Sequence, residues 1–209
     1  MPHDFERRLR ETIRARHPQR IQVPGARAAA VLVPVVGQPE PTLVLTLRTE
    51  TLSSHRGQVS FPGGSLDAPD EPPETAALRE AREELGLDPA MVRVLGELDS
   101  IETFVSGYVV TPIVGWIERA PPLRPNPAEV ARVLHVPVAR LTQEIHRGPG
   151  FSHDGRTYPT EAWVHAGDVI WGVTARILRL FLARLAEAGI AEAPGEAAWA
   201  PPERSRSTT

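Results

Sequence analysis

Cysteine is absent from the 209 residues, and so is lysine. The first absence excludes disulfides, thiolate nucleophiles and cysteine-ligated zinc. The second excludes a Schiff-base lysine and the lysine of a Walker-type phosphate loop. All 23 basic residues are therefore arginines. Long apolar runs are missing too: stretches such as Ala28–Val36 fall far short of the about 20 residues that span a bilayer. The first residues, Met1 to Arg8, hold no apolar signal core. A net charge of −3 supplies no basic field for nucleic acid or an anionic membrane. Neither partner is expected, and a cytoplasmic location follows by default. The seven histidines show no two-ligand spacing on a helix, which argues against catalytic zinc.

What is present suits a globular chain. Hydrophobic residues make up 41%, enough for one core. Phe5, Leu9 and Ile13 stand four apart and predict a helix over 4–17, closed by Pro18. Ala28–Val36 and Thr42–Arg48 read as a hairpin across Gly37-Gln38-Pro39. A short strand is expected at Gln58–Phe61, a helix at 73–86, and strands at Met91–Leu98 and Val109–Glu118. Pro112 within the last of these predicts an edge or a bulge. Four prolines between Ala120 and Pro127 make that stretch a loop. Beyond it are expected a short strand, Arg132–Val136, a short helix, Pro137–Thr142, and a hairpin turning at Asp154-Gly155. The last helix, Trp171–Ala188, carries Ile177, Leu178, Phe181, Leu182 and Leu185 on one side, with Trp171 and Phe181 read as core. Residues 1–189 are expected to form a single domain and 190–209 a flexible tail. Hairpins mixed with helix-separated strands favour a mixed sheet faced by helices. No Gly-x-Gly-x-x-Gly follows the first strand, which argues against a dinucleotide-binding Rossmann domain.

The chemistry concentrates on the helix at 73–86. Pro72 and Pro73 suit its start, Glu74 its first turn, and Gly86 its end. Ala77, Ala81 and Leu85 share a stripe for packing on a sheet. Glu80, Glu83 and Glu84 share another arc, of roughly 100°. Like charges four apart cost roughly 0.2–0.5 kcal/mol. Arg79 and Arg82 relieve that, and so would a hard divalent cation such as Mg²⁺ or Mn²⁺. A solvated acidic face is the plainer reading of such a triplet. The glycines before it, Gly57 and Gly63-Gly64, favour a metal–phosphate site, because they let the backbone approach a ligand closely. Arg48 and Arg56 offer guanidinium forks for phosphate.

From Arg79 to Leu87 the chain resembles the box of the Nudix hydrolases, Gly-x5-Glu-x7-Arg-Glu-hydrophobic-x-Glu-Glu-x-Gly-hydrophobic. Glu71 stands at the box spacing from Arg79 but has Ser65 six places before it, whereas Gly64 stands six before Asp70. The first acidic position is thus open between Asp70 and Glu71. Before the box, Val44-Leu45-Thr46-Leu47-Arg48-Thr49, Ser53, Gly57 and Phe61-Pro62-Gly63-Gly64 are similar, at identical spacing, to a segment of the coenzyme A pyrophosphatases of that family. Ser53 replaces an arginine of that segment. Residues 108–115, Asn126 to Val130 and 170–175 extend the similarity over roughly 28–185. The resemblance implies an α+β fold, an α/β/α sandwich around a mixed sheet. It implies Mg²⁺ or Mn²⁺ on Glu80, Glu83 and Glu84, with a carbonyl from Gly64. It gives catalytic roles to Glu83 and Glu129 and an orienting role to Arg79. It gives substrate contacts to Arg48, Ser53, Arg56, Gly57 and Gly63. The expected reaction is hydrolysis of coenzyme A or acyl-CoA to 3′,5′-ADP and the 4′-phosphopantetheine. The alternatives are other nucleoside diphosphate derivatives, such as ADP-ribose or nucleoside triphosphates, and a non-catalytic nucleotide-binding module. The partner is a small nucleotide, and a homodimer is left open.

Overall fold

A computed structural model describes residues 2–50, 57–103, 107–141, 145–147, 151–153, 156–158 and 161–192. Helix α1 spans Pro2–Ala15, followed by strands β1 (Arg27–Val36), β2 (Thr42–Arg48), β3 (Val59–Ser60) and β4 (Gly63–Ser65). Helix α2 (Pro73–Leu85) leads through a 3-10 turn to β5 (Arg93–Glu97), β6 (Ile101–Glu102), β7 (Tyr108–Ile117) and β8 (Val130–Pro137). Then come α3 (Val138–Leu141), β9 (Ile145–Arg147), β10 (Phe151–His153), β11 (Arg156–Tyr158), β12 (Glu161–His165), β13 (Asp168–Trp171) and α4 (Gly172–Glu187).

The central sheet is mixed. Its path runs β3-β2-β1-β7-β5, with β4 beside β1, β6 beside β7 and β8 beside β2. Strands β1 and β7 pair in parallel from Arg27↔Tyr108 to Val36↔Ile117. A parallel pair covered on both faces needs near-continuous apolar sequence, and both strands have it. On one face, Ala30, Leu32, Val36, Ile113 and Ile117 meet Ala76, Ala77, Ala81 and Leu85 of α2. On the other, Ala29, Val33, Val35, Val110 and Val114 share a core with Leu9 and Ile13 of α1 and Ile177 and Phe181 of α4. The result is the expected α/β/α sandwich. Among the described residues no helix is long and apolar enough to cross a membrane.

Several local expectations shift. The expected 91–98 strand begins as a 3-10 turn, Pro89–Met91, because the Asp88 carboxylate accepts the Ala90 N–H at 2.9 Å. Pro112 does not mark an edge, since β7 lies between β1 and β5. Its carbonyl accepts from Leu98 N–H at 2.9 Å, so its nitrogen faces the gap between β5 and β6, where no donor is required. The bulge lies in the partner strand, between Val94 and Gly96. The 154–155 turn and residues 193–209 of the expected tail lie outside the described residues.

Gly86 closes α2 in the left-handed region, at φ 64. Its N–H reaches Arg82 O at 2.8 Å, and Leu87 N–H reaches Ala81 O, a Schellman ending. A Cβ here would press on Arg124, 3.1 Å from its Cβ. Gly86→Ala is expected to lower stability by about 1 kcal/mol or more, read as a lower denaturant midpoint at unchanged slope.

Candidate active site

The three glutamates of α2 share one arc but not one depth. Side-chain exposure falls from 56% at Glu83 to 16% at Glu80 and 2% at Glu84. Glu83 faces solvent, with Arg79 Nη1 at 3.6 Å. Glu84 points inward. Its Oε1 accepts from Arg48 Nη1 at 3.3 Å, and the Gly63 N–H lies near enough to favour the charged carboxylate. Among the described residues nothing partners its buried Oε2 or the buried Nε of Arg48. Burial pushes the Glu84 carboxyl up to about 7. Arg48 opposes the rise, and the nearby charges of Glu129 and Glu80 add to it. Glu80 is also raised, first by burial and against the pull of Arg79.

Both glycines of the loop are required by contact. A Cβ on Gly63 would strike the Ala30 carbonyl and Val31 of β1. A Cβ on Gly64 would lie 2.5 Å from Glu80 Cδ. The short strand β4 thus holds two bare backbone units, one against the sheet and one against a carboxylate.

Arg79 ties this loop to the helix. Its Nη1 donates to Glu80 at 2.8 Å, its Nη2 to the Ser65 carbonyl at 3.0 Å, and its Nε to Glu71 at 3.2 Å. Asp67 Oδ2 stands 3.2 Å from Nε. These acids hold the guanidinium well above its ordinary value, Glu71 contributing most. Arg79 and then the Asp67 N–H hold Glu71 below the usual carboxylate range. Of Asp70 and Glu71, it is Glu71 that meets Arg79.

The proline-rich loop closes over the end of α2. Arg124 N–H donates to Leu85 O at 2.7 Å and Asn126 N–H to Glu84 O at 2.8 Å. Asn126 Nδ2 donates to Glu129 Oε1 at 3.2 Å. From β2, Thr49 N–H donates to Glu129 O at 3.0 Å and Thr49 Oγ1 to Ala128 O at 3.1 Å. Glu129 is half-buried and close enough to raise both Glu80 and Glu84 electrostatically.

Of the residues expected from sequence, the fold brings together Arg48, Gly63, Gly64, Arg79, Glu80, Glu84 and Glu129, with Glu83 at the rim. Gly57 lies at φ 60, where a Cβ would collide with the Glu50 carboxylate. Ser53 and Arg56 lie outside the described residues. Sequence reasoning missed Asn126 and the Glu71–Arg79 pair. The signal for Asn126 was its place before Pro127: its Oδ1 accepts Ala128 N–H at 3.1 Å, the asparagine turn such residues favour.

Among the described residues no three acidic or imidazole side chains are grouped closely enough to hold an ion as they stand. The donor set nonetheless fits a hard divalent cation. It is all oxygen, it carries excess negative charge, and its deepest member keeps one buried oxygen unpaired. Mg²⁺ retains several waters, so an open arc of carboxylates suits it better than a closed cage.

The NUDIX domain family model matches residues 26–160. The chain belongs to the Nudix hydrolase family. This Nudix hydrolase is 42% identical over 153 residues to a Photorhabdus laumondii protein described as an uncharacterized Nudix hydrolase NudL, covering 73% of this chain and 81% of that one. A Yersinia pestis protein of the same description is also 42% identical, over 160 residues, with 73% and 77% covered. The crystal structure of a MutT/nudix family protein from Enterococcus faecalis shares the fold. Its TM-score is 0.54, over 80% of this chain and 64% of that one, at 16% identity. As a Nudix hydrolase the protein acts on the pyrophosphate bond of nucleoside diphosphate derivatives, and enzymes of the family generally use divalent cations.

Proposed function

We propose that this Nudix hydrolase cleaves coenzyme A or an acyl-CoA to 3′,5′-ADP and 4′-phosphopantetheine or its acyl form, using Mg²⁺ or Mn²⁺. One observation carries the reading. The segment 44–64, similar to that of the coenzyme A pyrophosphatases, starts and ends on the acidic helix. Arg48 bonds Glu84, and Gly64 packs on Glu80.

On this reading Glu80, Glu83 and Glu84 hold the cation, with the Gly64 carbonyl beside them. A cation held there would supply charge neutralisation for the diphosphate and acidify water at neutral pH. Glu129 would serve this site as the general base or as a further ligand, a role supported by its electrostatic reach to Glu80 and Glu84. Arg79 fixes Glu80 relative to the glycine loop, a supporting task that tunes ligand geometry. Arg48 balances the buried charge of Glu84, and its guanidinium would offer further donors to a phosphate.

Incubation with coenzyme A and Mg²⁺, followed by chromatography, is expected to yield 3′,5′-ADP and 4′-phosphopantetheine in equal amounts, and none in excess chelator. Far faster cleavage of ADP-ribose or a nucleoside triphosphate would replace the coenzyme A reading with one of those substrates. Ser53, standing where the similar segment has arginine, is what favours that second reading. A non-catalytic nucleotide-binding module predicts binding without turnover of any of them.

A further inference from the structure

Glu129 has a problem that its own loop does not solve by charge. Its charge lies within electrostatic reach of Glu80 and Glu84, and it adds to the rise of both carboxylates. Mutual repulsion drives such a group out towards water unless a donor holds it. Among the described residues the donor that reaches its carboxylate is Asn126 Nδ2, at 3.2 Å from Oε1.

Asn126 is anchored on every other polar atom that bears on this task. Its N–H donates to the Glu84 carbonyl at 2.8 Å. Its carbonyl accepts the N–H of Glu129 at 3.0 Å and that of Val130 at 2.8 Å. Its Oδ1 accepts the N–H of Ala128 at 3.1 Å, which fixes the amide orientation and leaves Nδ2 facing Glu129. One residue thus joins the last turn of the acidic helix to the carboxylate of the loop. An uncharged amide suits the post: it donates to the carboxylate without adding a cation that would compete for the site.

We propose that Asn126 is a positioning residue that holds the Glu129 carboxylate against Glu80 and Glu84. The proposal rests on Glu129 serving the site, as proposed above. It does not rest on coenzyme A being the substrate. Removing a partner that orients a working group costs about 10–100-fold in metal affinity or activity. Asn126 is expected to cost that much, and to do so only through Glu129.

The test is a double-mutant cycle on the full chain: Asn126→Ala, Glu129→Gln and the two together. The rate with Mg²⁺ is read on coenzyme A and on ADP-ribose, and the Kd for Mn²⁺ is read without substrate. Asn126→Ala is expected to lower whichever quantity Glu129→Gln lowers, by 10–100-fold, with KM nearly unchanged. The double variant is expected to be no worse than Glu129→Gln alone. Asn126→Ser separates the two side-chain roles, because its hydroxyl keeps an acceptor for Ala128 N–H and loses the amide donor. It is expected to be as impaired as Asn126→Ala, and Asn126→Asp, which sets a second charge beside Glu129, at least as impaired. Full activity of Asn126→Ser, additive losses in the double variant, or no effect of Glu129→Gln overturns the proposal. If ADP-ribose is cut and coenzyme A is not, the substrate reading fails while the cycle still decides Asn126. If neither is cut, Mn²⁺ decides: shared, non-additive weakening sustains the proposal, and unchanged affinity overturns it.

Discussion

Glu84→Gln is expected to lower kcat by about 10³-fold and, without divalent cation, to make the protein more stable at pH 8. The catalytic loss follows from position. Glu84 is the deepest of the three helical glutamates, and its Oε2 has no protein partner. Lewis-acid stabilisation by a properly seated cation amounts to several kcal/mol, and each 1.36 kcal/mol is about tenfold in rate. The stability gain follows from the same burial. Folding raises the carboxyl from 4.5 to about 7, against the charge of Arg48 and with Glu129 and Glu80 adding to it. Between those pH values the native state keeps a proton that the unfolded chain has released. Metal-free stability therefore falls as pH rises from about 4.5 to about 7 and then levels off. At about 1.36 kcal/mol for each pH unit, the gap corresponds to about 3 kcal/mol. Glutamine removes that cost. Denaturant melts in chelator at pH 8 and pH 4.5 check it: the variant should exceed wild type at the first pH and match it at the second. Mg²⁺ should restore wild type far more than the variant. A fully active Glu84→Gln would show that the acidic helix is not the site.

Arg79→Lys is expected to lose about 10–100-fold in Mn²⁺ affinity or kcat, and about 1–3 kcal/mol of stability. The charge survives this change, so any loss reports geometry. Arg79 uses three nitrogens in three directions: Nε to Glu71, Nη1 to Glu80, and Nη2 to the Ser65 carbonyl. A lysine ammonium is one point on a flexible stem and cannot span the three. Glu71 then loses the partner that most depresses its pKa. Glu80 keeps its burial and loses the hydrogen bond that opposes it. Mn²⁺ titration and thermal melts of the two proteins measure both effects. A lysine variant with wild-type affinity and rate would show that Arg79 is a surface ion pair.

What the sequence made legible was local. Helix α2 announces itself through Pro73, the Ala77–Ala81–Leu85 stripe and Gly86, all within one short stretch, and the structure ends it within one residue of expectation. The parallel β1–β7 core was legible as two apolar runs, though not as partners. Strand β4 was not legible. Three residues, Gly-Gly-Ser, carry no strand pattern and become a strand only by lying against Ala29–Val31. The pairing of Arg48 with Glu84 was hidden for a similar reason. A phosphate-binding arginine and a charge-balancing one look alike until the fold sets the end of β2 beside α2. Glu129 was named from resemblance, but the residue that grips it was not. Asn126 acts through a bond to a residue three places away and another to a helix forty residues earlier, and spacing alone reports neither.

The parallel register of β1 and β7 sets a schedule for biosynthesis. Every pair in it joins residues about 80 apart. At about 5–20 residues per second, a ribosome needs about 4–16 s between making the first strand and completing the second. The glycine loop and acidic helix are made inside that interval, before the strand that completes the sheet beneath them. A chain ending near residue 100 thus carries the whole signature box yet leaves the edge of β1 that pairs with β7 without its partner strand.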